Sequence, residues 1–330
     1  MKHDLIQTVV SRGDDTESVH LTVAVLVGPD GSVVFSAGDF GRWVPARSSL
    51  KPFQAAALHL SGAMERFGLT GEQLALACAS HSGEPYHVEA VSRFMEQVGV
   101  SESDLGCGSH YPYHEPSRDA LLKSGAAATA LHNNCSGKHT GFLAAALAVG
   151  ADLKDYLDPA HPVQQMIARQ LQAWLGRGDF ATAIDGCSAP TFYLTIKELA
   201  RLGQLLISGT DSLLEPQLRA MQAYPQLVGG TGRFDSDFMT ALGQRAVSKE
   251  GAEGVQLIGI RDTRGQSWGL ALKVQDGASR PKWQVALAIL ESAGLVTSAE
   301  LERLPEYHRP ILRNHMGVEI GHLSTLLPAR

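Results

Sequence analysis

Ser48 and Lys51 stand one helical turn apart in Arg47-Ser48-Ser49-Leu50-Lys51-Pro52. A serine hydroxyl is a weak nucleophile at neutral pH and needs a base within hydrogen-bond reach. Residues i and i+3 of a helix share a face, so this spacing brings hydroxyl and amine together. The lysine can act as base where burial or a neighbouring cation disfavours its charged form. The same pattern also marks an ordinary solvated helix start, so other segments must give it meaning.

Three further segments concentrate reactive groups. In Ala79-Ser80-His81-Ser82-Gly83-Glu84-Pro85-Tyr86-His87, hydroxyls emerge from the end of an apolar run. Ser82 followed by Glu84 also fits a helix N-cap region. Asn133-Asn134-Cys135-Ser136-Gly137-Lys138-His139-Thr140-Gly141 packs amides, a thiol, hydroxyls, an ammonium and an imidazole ahead of an apolar helix. Helix N-termini favour anions, and turn chemistry alone does not call for Cys and Lys-His. In Ile184-Asp185-Gly186-Cys187-Ser188-Ala189-Pro190, Cys187 could meet Cys135 and, with His139 or another donor, hold zinc. No Cys-x-x-Cys or His-x-x-x-His spacing supports that on its own. Gly229-Gly230-Thr231-Gly232 lacks the lysine of a phosphate loop and reads as a mobile turn.

These segments need a scaffold, and 330 residues suffice for one globular unit with two lobes. Strand-like runs occupy the first forty residues, including Val19-His20-Leu21-Thr22-Val23-Ala24-Val25-Leu26-Val27, and return at 254–260 and 268–274. Amphipathic stretches at 71–79, 85–98, 118–124, 140–149, 162–175 and 196–207 make the middle helical. Pro162 and Pro190 are expected at helix starts, and a last helix at 281–290. This is an α+β chain: an antiparallel sheet built from both chain ends (about 1–47 and 241–330) and a large helical lobe (about 48–240), with a cleft between them. A net charge of −6 argues against nucleic acid or an anionic membrane as partner. No apolar run approaches the ~20 residues of a membrane span. Met1-Lys2-His3-Asp4 opens no signal peptide, so a cytoplasmic location is expected. Four widely spaced cysteines, Cys78, Cys107, Cys135 and Cys187, suggest buried thiols, nucleophiles or metal ligands rather than disulfides.

Together, Ser48-Ser49-Leu50-Lys51-Pro52-Phe53-Gln54, Ala79-Ser80-His81-Ser82-Gly83-Glu84, Asn133-Asn134-Cys135-Ser136-Gly137-Lys138-His139, Asp185-Gly186-Cys187 and Gly232-Arg233-Phe234-Asp235 resemble one family. It is the asparaginase II family, of rhizobial type (class 3 L-asparaginases). The resemblance implies hydrolysis of the side-chain amide of L-asparagine, a fold akin to serine β-lactamases and penicillin-binding proteins, and a homodimer. It places two Ser–Lys pairs in the site, Ser48 with Lys51 and Ser80 with Lys273, and a zinc ion on Cys135, Lys138 and Cys187 that is not the hydrolytic centre. A zwitterionic substrate then needs a cation and an acid. Arg47 and Asp185 are the candidates, with His81 and Glu84 nearby in sequence. Ser48 is the favoured nucleophile because its lysine is fixed by local helix geometry. Two alternatives stay open: a Ser-x-x-Lys hydrolase of the penicillin-recognising kind, and a non-catalytic small-molecule or zinc-binding protein. The first would add Ser-x-Asn and Lys-Thr-Gly motifs, but Ser80-His81-Ser82 and Lys273-Val274-Gln275 stand in their places.

Overall fold

A computed structural model describes residues 4–328. Met1, Lys2 and His3, most of the segment on which the expectation about a leader rests, lie outside the described residues. The chain divides into two compact units: residues 4–49, 194–208 and 237–328 in one, residues 50–193 and 209–236 in the other.

The first unit is an eight-stranded antiparallel sheet made from both chain ends. Strand Ile6–Arg12 pairs with Glu319–Leu326 near the C-terminus, Gln7 opposite Leu326, and on its other side with Asp15–Val27. Asp15–Val27 then pairs with Ser267–Val274, which continues to Val255–Arg261 and Ala246–Gly251. Neighbouring residues of a strand point to opposite faces. Leu257 and Ile258 are both fully buried, so the sheet is covered on both sides. That explains why its central strands read as unbroken apolar runs.

Two helices pack on these strands, Ile196–Ser208 and Lys282–Ser292. The first lies on a glycine patch: a Cβ on Gly269 would collide with the backbone of Ala200, and one on Gly259 with that of Gly203. Its place in the middle of the chain suggests the helical lobe, but its apolar face belongs to the sheet. After Lys282–Ser292 the chain forms a hairpin, Ile311–Arg313 with Glu319–Leu326, beyond the last element expected from the sequence, the helix at 281–290.

The second unit is mainly helical. Helix Ser136–Val149 is buried around its whole circumference from Ser136 to Ala146, as its run of small and apolar residues requires. It packs on Gly71–Cys78 so closely that a Cβ at Gly137 would lie 2.5 Å from the Leu76 carbonyl oxygen. Pro190 opens a strand, Pro190–Thr195, not a helix. That strand pairs with Thr182–Ile184 and leaves 185–189 as the hairpin loop. No helix among the described residues is long and apolar enough to cross a membrane.

Candidate active site

Helix Gly71–Cys78 stops because Ala79 turns to extended backbone at ψ 150°. The next helix, Pro85–Val98, cannot begin before Pro85, which keeps Glu84 extended. Between them, Gly83 takes φ +71°, a value that favours glycine. Residues 79–84 are thus strung out between two helices, and Ser80 lies buried near their start.

Lys51 reaches this segment from the first turn of helix Lys51–Gln54. Its buried amine is 2.9 Å from Ser80 Oγ, 2.5 Å from the Ala79 carbonyl oxygen and 3.2 Å from that of Asn134. An ammonium has three donors, and each finds an acceptor here. A neutral amine in the same place would keep two N–H bonds to the carbonyls and aim its lone pair at the Ser80 hydroxyl.

The neighbours of Ser80 brace it. His81 is fully buried, with Nδ1 accepting from the Gly83 N–H at 3.2 Å and Nε2 at 2.9 Å from Ser136 Oγ. Those partners fix a neutral imidazole, and burial, reinforced by His87 and Lys51, holds its pKa well below the ordinary value. His87 stacks on it with ring centroids 4.9 Å apart. Burial lowers the pKa of His87 to about 4. Burial pushes the Glu84 carboxyl up, but bonds from Thr231 and Tyr86 outweigh that and hold it below the usual range. His81 and Glu84, expected near the substrate, have their polar atoms committed to the protein.

Cys135 precedes helix Ser136–Val149 at its N-cap, and Cys187 sits in the hairpin loop, where Ser188 takes φ +67°. Lys138 Nζ is 3.0 Å from Cys187 Sγ, and all three side chains are buried. The neighbouring Cys135 side chain and the Lys138 charge lower the pKa of Cys187 against burial. Cys187 and burial raise the pKa of Cys135, whose Sγ donates to Asn134 Oδ1 at 3.5 Å. Beside them His139 Nδ1 meets the Tyr156 hydroxyl at 2.6 Å, while the buried Nε2 has no hydrogen-bond partner among the described residues. Among those residues no group of three His, Cys, Asp or Glu is arranged to hold a metal. Two sulfurs and the nearby imidazole nitrogen are donors of the kind zinc accepts, whereas Lys138, which here donates to Cys187, would have to lose a proton to join them. Asp185 lies in the same loop and takes the Gly186 N–H on Oδ1 at 2.7 Å.

The remaining candidates belong to the sheet unit. Arg47 takes φ +54° at the start of the 3₁₀ turn Arg47–Leu50. Such a conformation is rare for a residue with a Cβ and is often kept at functional sites. Ser48 follows it, half-buried. Its neighbour Ser49 is fully buried and bonds the Ala46 carbonyl at 2.7 Å. Lys273, half-buried on a central strand, donates to the Val274 carbonyl at 2.5 Å. Burial lowers its pKa, with Arg42 acting the same way and Glu253 opposing.

The sequence matches the L-asparaginase II family over residues 8–325. The chain belongs to that family. No curated protein sequence matches the chain. Among solved structures it is similar to the native form of a protein called Mglu, at 14% identity and a TM-score of 0.46, over 83% of this chain. This chain spans 64% of the Mglu chain, a little under two thirds. A Bacillus glutaminase in 4.3 M NaCl is similar at 12% identity and TM-score 0.39, over 83% of this chain and 91% of its own. A class A β-lactamase from Bacteroides cellulosilyticus is similar at 13% identity and TM-score 0.35, over 93% of each chain. At such identities and scores none of these likenesses bears on the chemistry.

Two features of the family member escaped the reading of spacing. One is Asn134, whose carbonyl joins Ala79 in orienting Lys51. The other is Thr231, in the stretch read as a mobile turn, whose N–H and hydroxyl both bond Glu84. The glycines around Thr231 were the available signal. They showed that the backbone there does something unusual, but not what it lies against.

Proposed function

We propose that the chain hydrolyses the side-chain amide of L-asparagine to L-aspartate and ammonia, with Ser80 as nucleophile and Lys51 as its base. The approach of Lys51 Nζ to Ser80 Oγ at 2.9 Å, between two backbone carbonyls, carries this reading. Once neutral, Lys51 takes the serine proton as Oγ bonds the amide carbon. Collapse of the adduct breaks the C–N bond, and the same lysine returns the proton to departing ammonia. Water then attacks the acyl-enzyme, releasing aspartate and restoring the serine. Arg47 and Asp185 are proposed to receive the substrate's α-carboxylate and α-ammonium. Ser48 and Lys273, which the family pattern pairs with Lys51 and Ser80 respectively, are kept as further candidates for the site. Cys135, Lys138 and Cys187 would hold zinc, which when bound would tie the start of helix Ser136–Val149 to the hairpin loop 185–189.

The test is ammonia release from L-asparagine and L-glutamine, with a chromogenic β-lactam as comparison substrate. Ser80→Ala and Lys51→Met are expected to lower asparagine turnover about a thousandfold, as removal of a nucleophile or its base does. Full activity in Ser80→Ala with none in Ser48→Ala would return the nucleophile to Ser48. β-Lactam hydrolysis without amide turnover by folded wild type would sink the asparaginase reading.

A further inference from the structure

The stretch 228–231 is fastened to residues 80–84 at both ends. At one end the Ser80 N–H donates to the Val228 carbonyl at 2.9 Å. Ser82 Oγ donates to the Gly229 carbonyl at 3.0 Å. At the other end Thr231 gives its N–H to Glu84 Oε1 at 2.8 Å and its hydroxyl to Oε2 at 2.9 Å. From behind, Ser236 Oγ takes the Gly230 N–H at 2.9 Å. Gly230 has φ +121°, and a Cβ there would lie 2.6 Å from Glu84 Oε1 and 3.0 Å from Ser82 Oγ. Only glycine lets the loop lie this close.

Glu84 is 5% exposed, and a buried carboxylate is costly unless its oxygens are bonded. Besides both Thr231 groups it accepts the Tyr86 hydroxyl at 3.1 Å, and His114 Nδ1 stands 3.7 Å from Oε2. A carboxylate has about four lone-pair sites, so this one has little left for a substrate ammonium. Thr231 is exposed yet directs both of its hydrogen-bonding groups inward. Such an arrangement holds two pieces of chain in register. What it keeps in register begins at Ser80, whose backbone N–H is the other end of the pairing.

We propose that Glu84 and Thr231 form a clasp that sets the position of Ser80, making both of them positioning residues for its attack. The proposal rests on Ser80 being the nucleophile. An error of about 1 Å at such a group can cost about a hundredfold in rate.

Thr231 is at the surface, so Thr231→Val and Thr231→Ser test the clasp with little risk to folding, and Glu84→Gln adds the carboxylate's side. Three quantities are compared with wild type: kcat and KM for L-asparagine, labelling of Ser80 by a fluorophosphonate, and amide exchange in the peptide holding residues 79–84. Thr231→Val and Glu84→Gln are expected to lower kcat and Ser80 labelling at least tenfold, leave KM within about threefold, and speed exchange. Thr231→Ser should restore all three. Unchanged exchange in both Thr231→Val and Glu84→Gln overturns the clasp. Faster exchange with unchanged Ser80 labelling overturns its positioning role. If wild type hydrolyses no amide, the asparaginase reading fails by itself, and labelling and exchange still decide the clasp.

Discussion

Lys51 is oriented by two backbone carbonyls, and its third hydrogen-bonding direction falls on Ser80. Spacing suggested Ser48 as its partner. Ser80 stands 29 positions away in sequence, and only the path of the chain after Cys78 brings it to the amine. The chemistry of both residues was therefore legible, but their partnership was not. Beneath Ser80, His81 and His87 form a stacked pair of buried neutral rings, and this has a consequence for acid stability. His87 has a folded pKa of about 4 against 6.5 unfolded. Its contribution is fully present above pH 6.5 and is lost as pH falls toward 4, because the unfolded chain binds the extra proton first. The loss amounts to about 3 kcal/mol. Urea unfolding at steps from pH 7 to pH 4 should show this decline in wild type and a shallower one in His87→Gln. An identical slope in the variant would mean that His87 is not held neutral.

Among the elements, those with strong periodicity or β-branched runs were legible, as in Asp15–Val27 and Pro162–Leu175. The C-terminal hairpin was not, because Ile311–Arg313 is short and largely exposed and offers no run of buried positions to read. Helix Ile196–Ser208 was legible as a helix but not in its partner, since an apolar stripe fits a sheet as well as another helix. Its seat depends on absent side chains: Gly203 on the helix, Gly259 and Gly269 on the strands. None of the three has a positive φ, so a substitution there acts through space alone. Gly203→Val should destabilise the protein by about 3 kcal/mol, the upper end of what overpacking costs. Gly178→Ala, with nothing within 4 Å, is the control and should leave the urea midpoint in place or raise it slightly. Equal midpoints for the two variants would contradict the close seat of the helix.

At the scale of the whole molecule, function draws on segments distant in sequence, and the match to the family runs over nearly the whole chain for that reason. The sulfur cluster illustrates this, because Lys138 and Cys187 are 49 positions apart. Their contact joins the start of helix Ser136–Val149 to the hairpin loop 185–189. A metal on Cys135, Lys138 and Cys187 would cross-link these two pieces in the folded state only, so binding would be coupled to stability. Zinc at a hundredfold excess over its dissociation constant should stabilise the protein by about 2.7 kcal/mol, read as a rise in the thermal midpoint that a chelator reverses. Cobalt in place of zinc should give thiolate charge-transfer absorption, because soft sulfur ligands mark the site. That band should weaken in both Cys135→Ser and Cys187→Ser and persist in Cys107→Ser, whose thiol lies 3.8 Å from the Ala130 carbonyl. A thermal shift that survives Cys187→Ser would place the metal elsewhere. The hydrogen bond from Lys138 to Cys187 would then itself be the link between helix and loop.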